Sequence, residues 1–216
     1  MVRKLLLLGG GGHCKSIIDS LADCNDYAGI GIVDKSGSDH SSILGIPVVG
    51  FDEDLEKLKM EGYTDAFVSL GSIGNTSGRR RLFELIVSFG FEIPNIIDNT
   101  AIVSRNSTLG KGLFIGKHAV LNAGSTLEDG VIINSSATIE HDCIIGAFAH
   151  VSPGVVLCGN VTIGADTHVG AGCIIRQQVN VGNNVMVGMG SVVINNIAEN
   201  TMAFGSPCRI VKQNSR

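Results

Sequence analysis

Tryptophan is absent from this chain of 216 residues and tyrosine occurs only twice. That removes the aromatic platforms on which single-stranded nucleic acids stack. Basic charge is also short: 16 Lys and Arg stand against 20 Asp and Glu, for a formal net charge of −4. A phosphate backbone finds no complementary surface here, and nucleic acid is excluded as a partner. The one basic run, Arg79-Arg80-Arg81, reads as the opening of a helix. No apolar stretch approaches the roughly 18 residues of a membrane span. The run Leu5 to Leu8 breaks into glycines after four residues, so it reads as a strand and not as a signal peptide. The six cysteines (14, 24, 143, 158, 173 and 208) contain no C-x-x-C pair and are too sparse for a disulfide scaffold. Reduced thiols without a signal predict a cytoplasmic protein.

What the chain has in excess is glycine, 29 residues, and a period. Sixteen aliphatic residues recur at intervals of six from Val103 to Val193 without a miss, and seven are followed directly by Gly. Four positions on stands a small or β-branched residue in fourteen of fifteen hexads, Leu113 being the exception. A fixed period of this length signals a solenoid. Three hexads make one triangular coil of 18 residues, so the segment supplies about five coils. The aliphatic residue of each hexad is expected to point inward and stack on its equivalent about 4.8 Å away. Gly and Asn are expected to carry the left-handed corners. Cys143 and Cys173 fall at the small position and are expected in the core.

Residues 1–98 follow another grammar. Strands are expected at residues 4–8, 29–34, 65–70 and 93–97, and helices at 13–21, 52–60 and 79–89. Alternating strands and helices imply a small Rossmann-like α/β domain with a parallel sheet. The expected division is residues 1–98 for this domain, 99–200 for the solenoid and 201–216 for a tail.

Few polar residues sit where chemistry could occur. Gly9 to Gly12 follow a strand and precede a helix, the context in which backbone amides cradle phosphate. The run fits neither G-x-G-x-x-G, because Cys14 occupies the last glycine position, nor a P-loop, and a bare turn fits it equally. Asp34 ends the second strand about 20 residues later, where an acid commonly meets a ribose or base. His141, between Glu140 and Asp142, falls on an outward position. Neutral imidazole suits a general base near pH 7, and a carboxylate on its other nitrogen would fix the tautomer. A solvated surface histidine is the alternative. His150 and His168 are 18 residues apart and share one column, as a surface ladder would, and His118 and His40 read as surface residues.

Taken together, three segments identify a family. Leu5-Leu6-Leu7-Leu8-Gly9-Gly10-Gly11-Gly12-His13, Ile139-Glu140-His141-Asp142-Cys143 and Gly205-Ser206-Pro207-Cys208-Arg209 occur in that order around the hexads. The chain resembles, over nearly its full length, the hexapeptide-repeat sugar acyltransferases of the bacterial sialic-acid O-acetyltransferase type. These include N-acetyltransferases of nucleotide-linked 4-amino sugars. The resemblance implies a left-handed parallel β-helix, an exception to the right-handed crossover rule. It further implies a homotrimer with active sites between subunits, acetyl-CoA as co-substrate, no metal, and a nucleotide-sugar acceptor held by the first domain.

Carried over residue by residue, the resemblance makes His141 the general base and Asp142 its partner. Asn134 and His150 then face the acceptor or the transferred group, and the Gly159 N–H is aimed at the thioester oxygen. Ala171, Gly172 and Met189 line CoA, with Pro207 near the adenine. Gly11, Gly12 and His13 hold the phosphates, and Asp34 and Lys35 contact the nucleotide; His13 could instead merely cap the helix.

The expected reaction is N-acetylation of a nucleotide-linked amino sugar. The alternatives are O-acetylation of a sialic acid, a γ-type carbonic anhydrase and a non-catalytic scaffold. Zinc anhydrases of that type use an H-x4-H pair, and no two of the six histidines are five apart. Serine acetyltransferases carry a helical first domain, which the alternating pattern contradicts.

Overall fold

A computed structural model describes residues 3–22, 25–38 and 41–214; Cys24 and His40 lie outside these. The chain divides into two compact units, Met1–Gly71 with Ser77–Ile96, and Ser72–Thr76 with Ile97–Arg216.

The first unit runs Lys4–Leu8 (β1), Gly12–Ser20 (α1), Gly29–Asp34 (β2), Ser42–Ile43 (β3), Ile46–Phe51 (β4), Leu55–Met60 (α2), Asp65–Val68 (β5) and Ser77–Ser88 (α3). Its sheet has the order β3-β4-β2-β1-β5, parallel except for the β3–β4 hairpin at the edge. Four successive leucines of β1 are fully buried because both faces of a parallel sheet are covered. Leu6 and Leu8 pack with Leu55 and Leu58 of α2 and with Leu82 and Ile86 of α3. By strand alternation, Leu5 and Leu7 project to the opposite face.

From β1 the chain steps to β2 and β4 on one side, then returns to place β5 on the other. The sheet's switch point therefore lies between β1 and β5. In open α/β sheets the crevice beyond the strands' carboxyl ends at this point is where ligands bind. Residues 9–12 leave β1 at that place.

In the second unit, two-residue strands from Ile102–Val103 to Val192–Val193 form three parallel sheets. Within this segment each strand pairs with the residue 18 positions on, as in Val120↔Thr138, Ile144↔Thr162 and His150↔His168. The inward aliphatic residues from Ile115 to Val193 are 1% exposed or less. Val103 and Leu109 are only partly buried, since they belong to the first coil. The register then shortens: Val181 pairs with Ile197 and Val187 with Ala203, 16 residues on. The tail is itself structured. Thr201–Gly205 extends one sheet in parallel and folds back on Cys208–Gln213.

The corners correct one expectation. Left-handed φ recurs at every sixth residue from Gly112 to Gly190, on the third residue after each inward aliphatic. Eight of these positions are not glycine, among them His118, Asp142, Phe148 and Gln178, and none of the fourteen is β-branched. The strain, about 1–2 kcal/mol per non-glycine residue, is offset by a repeated hydrogen bond. From Gly124 onward each such N–H reaches a carbonyl of the coil before, as in Asp142 N–H to Ala123 O (3.0 Å), Asn160 N–H to His141 O (2.9 Å) and Gln178 N–H to Gly159 O (3.1 Å), and the His118 N–H reaches the Thr100 hydroxyl (3.0 Å). The glycines directly after the aliphatic residues have another cause. A Cβ on Gly146, Gly164 or Gly170 would stand 2.5 Å from backbone atoms of the next coil.

Among the described residues no helix is long and apolar enough to cross a membrane.

Candidate active site

The turn at residues 140–143 is built by a buried hydroxyl. Ser125, one coil earlier, donates to Glu140 O (2.9 Å) and accepts from Cys143 N–H (3.2 Å). Cys143 is in the core, and its Sγ contacts Cys158 O at 3.3 Å. Held this way, His141 and Asp142 project outward with side chains 64% exposed. His141 Nδ1 lies 2.8 Å from Asp142 Oδ2. An ionised carboxylate only accepts, so Nδ1 carries the proton and Nε2 presents a lone pair. The ring folds over Gly159, the residue below it in the column. A Cβ there would be 2.5 Å from Nε2 and 2.6 Å from Cε1. No atom of the described residues takes a hydrogen bond from the Gly159 N–H. Asn160, Gln177 and Gln178 complete a polar cleft of about 440 Å³ around this ring; sequence reasoning assigned none of the three.

A second groove of about 380 Å³ lies over another sheet and the corner that follows it. It brings together His150, Ala171 and Met189 with Ile73, Met186 and His168. His150 Nδ1 is 3.0 Å from Ser72 O, an acceptor only, so Nδ1 donates. Nε2 then accepts from the Asn134 amide at 3.3 Å, whose own oxygen takes the Ser135 N–H at 2.8 Å. In this arrangement both ring nitrogens of His150 are engaged, unlike the outward Nε2 of His141. His168 is not a surface residue. It is 8% exposed and meets His150 edge-on, with ring centroids 4.9 Å apart. Gly172 is exposed at the same corner, and Pro207 is exposed in the turn between the last two strands. Within one chain the His141 cleft and this groove occupy different corners of the coil.

In the first unit, Gly10, Gly11, Gly12 and Lys15 face Ser42, Ile43 and Leu44 across a cleft of about 340 Å³. A Cβ on Gly11 or Gly12 would meet nothing within 4 Å, so their backbone is open to close approach. Gly11 caps α1 with no side-chain bond, which leaves the first-turn amides to a ligand. Asp34 Oδ1 accepts from Gly10 N–H (3.2 Å) and Lys35 N–H (2.9 Å), tying the loop to β2. Lys15 is the cation lining this cleft, and the glycine motif did not predict it.

His13 packs against Gly71. Burial first, and then the charge of Arg79, lower its pKa to about 4. His13 is therefore neutral when folded, and offers an anion a dipole and not a charge. The unfolded chain takes up this proton near pH 6.5, so between there and about pH 4 the unfolded state binds more protons. The stability present above that window is lost as pH falls through it, in total roughly 3 kcal/mol. Denaturant titrations across the window should show this slope, and a His13→Asn variant should lack it.

Among the described residues no group of three His, Cys, Asp or Glu is placed to hold a metal.

Comparison with known proteins matches a family model described as the PglD N-terminal domain over residues 4–86, and one described as bacterial transferase hexapeptide (six repeats) over residues 142–177. No curated protein matches. Among solved structures, the acetyltransferase domain of PglB from Neisseria gonorrhoeae FA1090, in complex with acetyl coenzyme A, is 36% identical with a TM-score of 0.91. That match covers 98% of this chain and 100% of the other. PerB from Caulobacter crescentus, in complex with CoA and GDP-perosamine, is 33% identical over 98% of each chain with a TM-score of 0.90. WeeI from Acinetobacter baumannii AYE, 17% identical with a TM-score of 0.67 over 97% of this chain and 100% of that one, shares the fold.

Proposed function

This chain belongs to the left-handed β-helix, hexapeptide-repeat acyltransferases of nucleotide-linked amino sugars, and from that premise we propose that it moves the acetyl group of acetyl-CoA onto the amino group of such a sugar. The observation that carries the reading is the His141–Asp142 contact of 2.8 Å, with Nε2 held over Gly159. The sugar amine attacks the thioester carbonyl while Nε2 accepts its proton. Asp142 holds the tautomer and stabilises the imidazolium. The Gly159 N–H receives the developing oxyanion, a contribution typically worth about 3–4 kcal/mol. The same proton then leaves with the CoA thiolate.

Asn134 and His150 orient the acceptor at the second groove. Ala171, Gly172 and Met189 take the pantetheine arm, with Pro207 toward the adenine. The first unit is the nucleotide-sugar domain, in which Gly11, Gly12, His13 and Lys15 meet the diphosphate, and Asp34 and Lys35 the nucleoside. Because the base and the groove stand at different corners of one coil, a complete site takes one corner from each of two copies. A homotrimer supplies three such junctions. The reading places the protein in the cytoplasm, where acetyl-CoA is available and the free thiols of the described cysteines persist.

The test is thiol release from acetyl-CoA with a panel of nucleotide-linked amino sugars and free sialic acids. Release with at least one nucleotide-linked amino sugar is expected. Release with sialic acids alone would reverse the assignment.

A further inference from the structure

The column that carries His141 continues one residue past Gly159. Residues 141, 159 and 177 stand one above another in successive coils, joined by Asn160 N–H to His141 O (2.9 Å) and Gln178 N–H to Gly159 O (3.1 Å). Only two of the three carry side chains, so the Gly159 corner is a floor between two walls. The His141 ring leans over that floor from above. Gln177, exposed and in the same cleft, borders it from below. Coils are about 4.8 Å apart. A glutamine side chain, three carbon–carbon bonds of about 1.5 Å and an amide, spans that spacing.

Resting on the acetyl-transfer reading, we propose that the Gln177 carboxamide is a second oxyanion donor, pairing its Nε2–H with the Gly159 N–H. The chemistry requires charge at this place. As the acceptor nitrogen bonds to the thioester carbon, the carbonyl π pair moves onto oxygen. That oxygen carries a full negative charge until the C–S bond breaks and the pair returns. His141 Nε2 holds the nitrogen's proton meanwhile and delivers it to the departing CoA sulfur. One backbone N–H satisfies one lone pair of the oxyanion, and a donor from the opposite wall satisfies another. The neighbouring candidates suit this less well. Gln178 and Asn160 occupy left-handed positions beside the column and not on it, and their backbone N–H groups are committed to the coil before, so neither can add a main-chain donor.

The test compares wild type with Gln177→Ala and Gln177→Met, the latter keeping the length without a donor. Two reactions are followed, acetyl transfer to a nucleotide-linked amino sugar and acceptor-free hydrolysis of acetyl-CoA. Both variants should lose about 100–1,000-fold in kcat, with KM for both substrates unchanged, and hydrolysis should fall by the same factor. An unchanged kcat in both reactions overturns the proposal. So does a raised KM for acetyl-CoA at intact kcat, which would make Gln177 a ground-state contact of the pantetheine arm. Hydrolysis needs no sugar, so the two readings separate. Gln177-dependent hydrolysis by a protein that acetylates no nucleotide-linked amino sugar would refute the acceptor and sustain the donor.

Discussion

His141→Ala loses acetyl transfer by about three orders of magnitude, within the range for removal of a positioned general base, and melts at the wild-type temperature. Both parts follow from geometry. The side chain is 64% exposed and pairs with Asp142 at the surface, so its removal leaves no cavity and stability should move by less than about 0.5 kcal/mol. The Nε2 lone pair, in contrast, has no equal in the cleft: the carboxamides of Asn160, Gln177 and Gln178 do not accept a proton near neutral pH, and the remaining group, the Asp142 carboxylate, is a much weaker base than imidazole. CoA binding should persist, because the CoA contacts assigned above lie at another corner. Calorimetric CoA titration with kcat measurement checks this. Lost CoA affinity together with lost turnover would make His141 a binding residue.

Gly159→Ala should be nearly as damaging, for a steric reason. Its φ lies outside the left-handed region, so alanine costs nothing in backbone strain. The added methyl would lie 2.5 Å from His141 Nε2, closer than two such atoms can come. The flexible, exposed ring yields before the coil does and swings away from its place over Gly159, carrying the base off the reacting amine. We expect kcat to fall by about 100-fold with an unchanged melting curve. Imidazole chemical shifts of His141 should move in the same variant. Wild-type turnover in Gly159→Ala would mean that the ring position over Gly159 is not the working one.

The period of six carried most of what was legible. Counting from Val103 put His141 outside, Cys143 inside, and His150 beside His168, because a solenoid converts sequence position directly into column and coil. Burial caused by distant residues was not legible. His168 lies on an outward position and still is 8% exposed, in a groove whose wall includes Ile73, far away in sequence. That segment, Ser72–Thr76, joins the second unit through Ser72 O on His150 and through the hydroxyl of Thr76 on Asp166. Nothing in its composition announces a change of partner.

The β3–β4 hairpin was hidden by its turn. Leu44 and Gly45, with φ of 46° and 82°, form a two-residue link of the left-handed kind, where Asn-Gly is the usual signal. The left-handed corner ladder was masked in the same way, since histidine, phenylalanine and glutamine share it with glycine. Lys15 and Gln177 belong to no motif; the clefts they line only exist once strands and coils are assembled.

The central claim is that His141 draws a proton from a sugar amine as an amide forms. The direct measurement is the product itself, isolated from acetyl-CoA and an accepted nucleotide-linked amino sugar, weighed by mass spectrometry and treated with mild hydroxylamine. One added acetyl group should survive the treatment, as an amide does, and His141→Ala should give no product in the same time. An acetyl group released by hydroxylamine, as an ester would be, or equal product from His141→Ala, would contradict that claim.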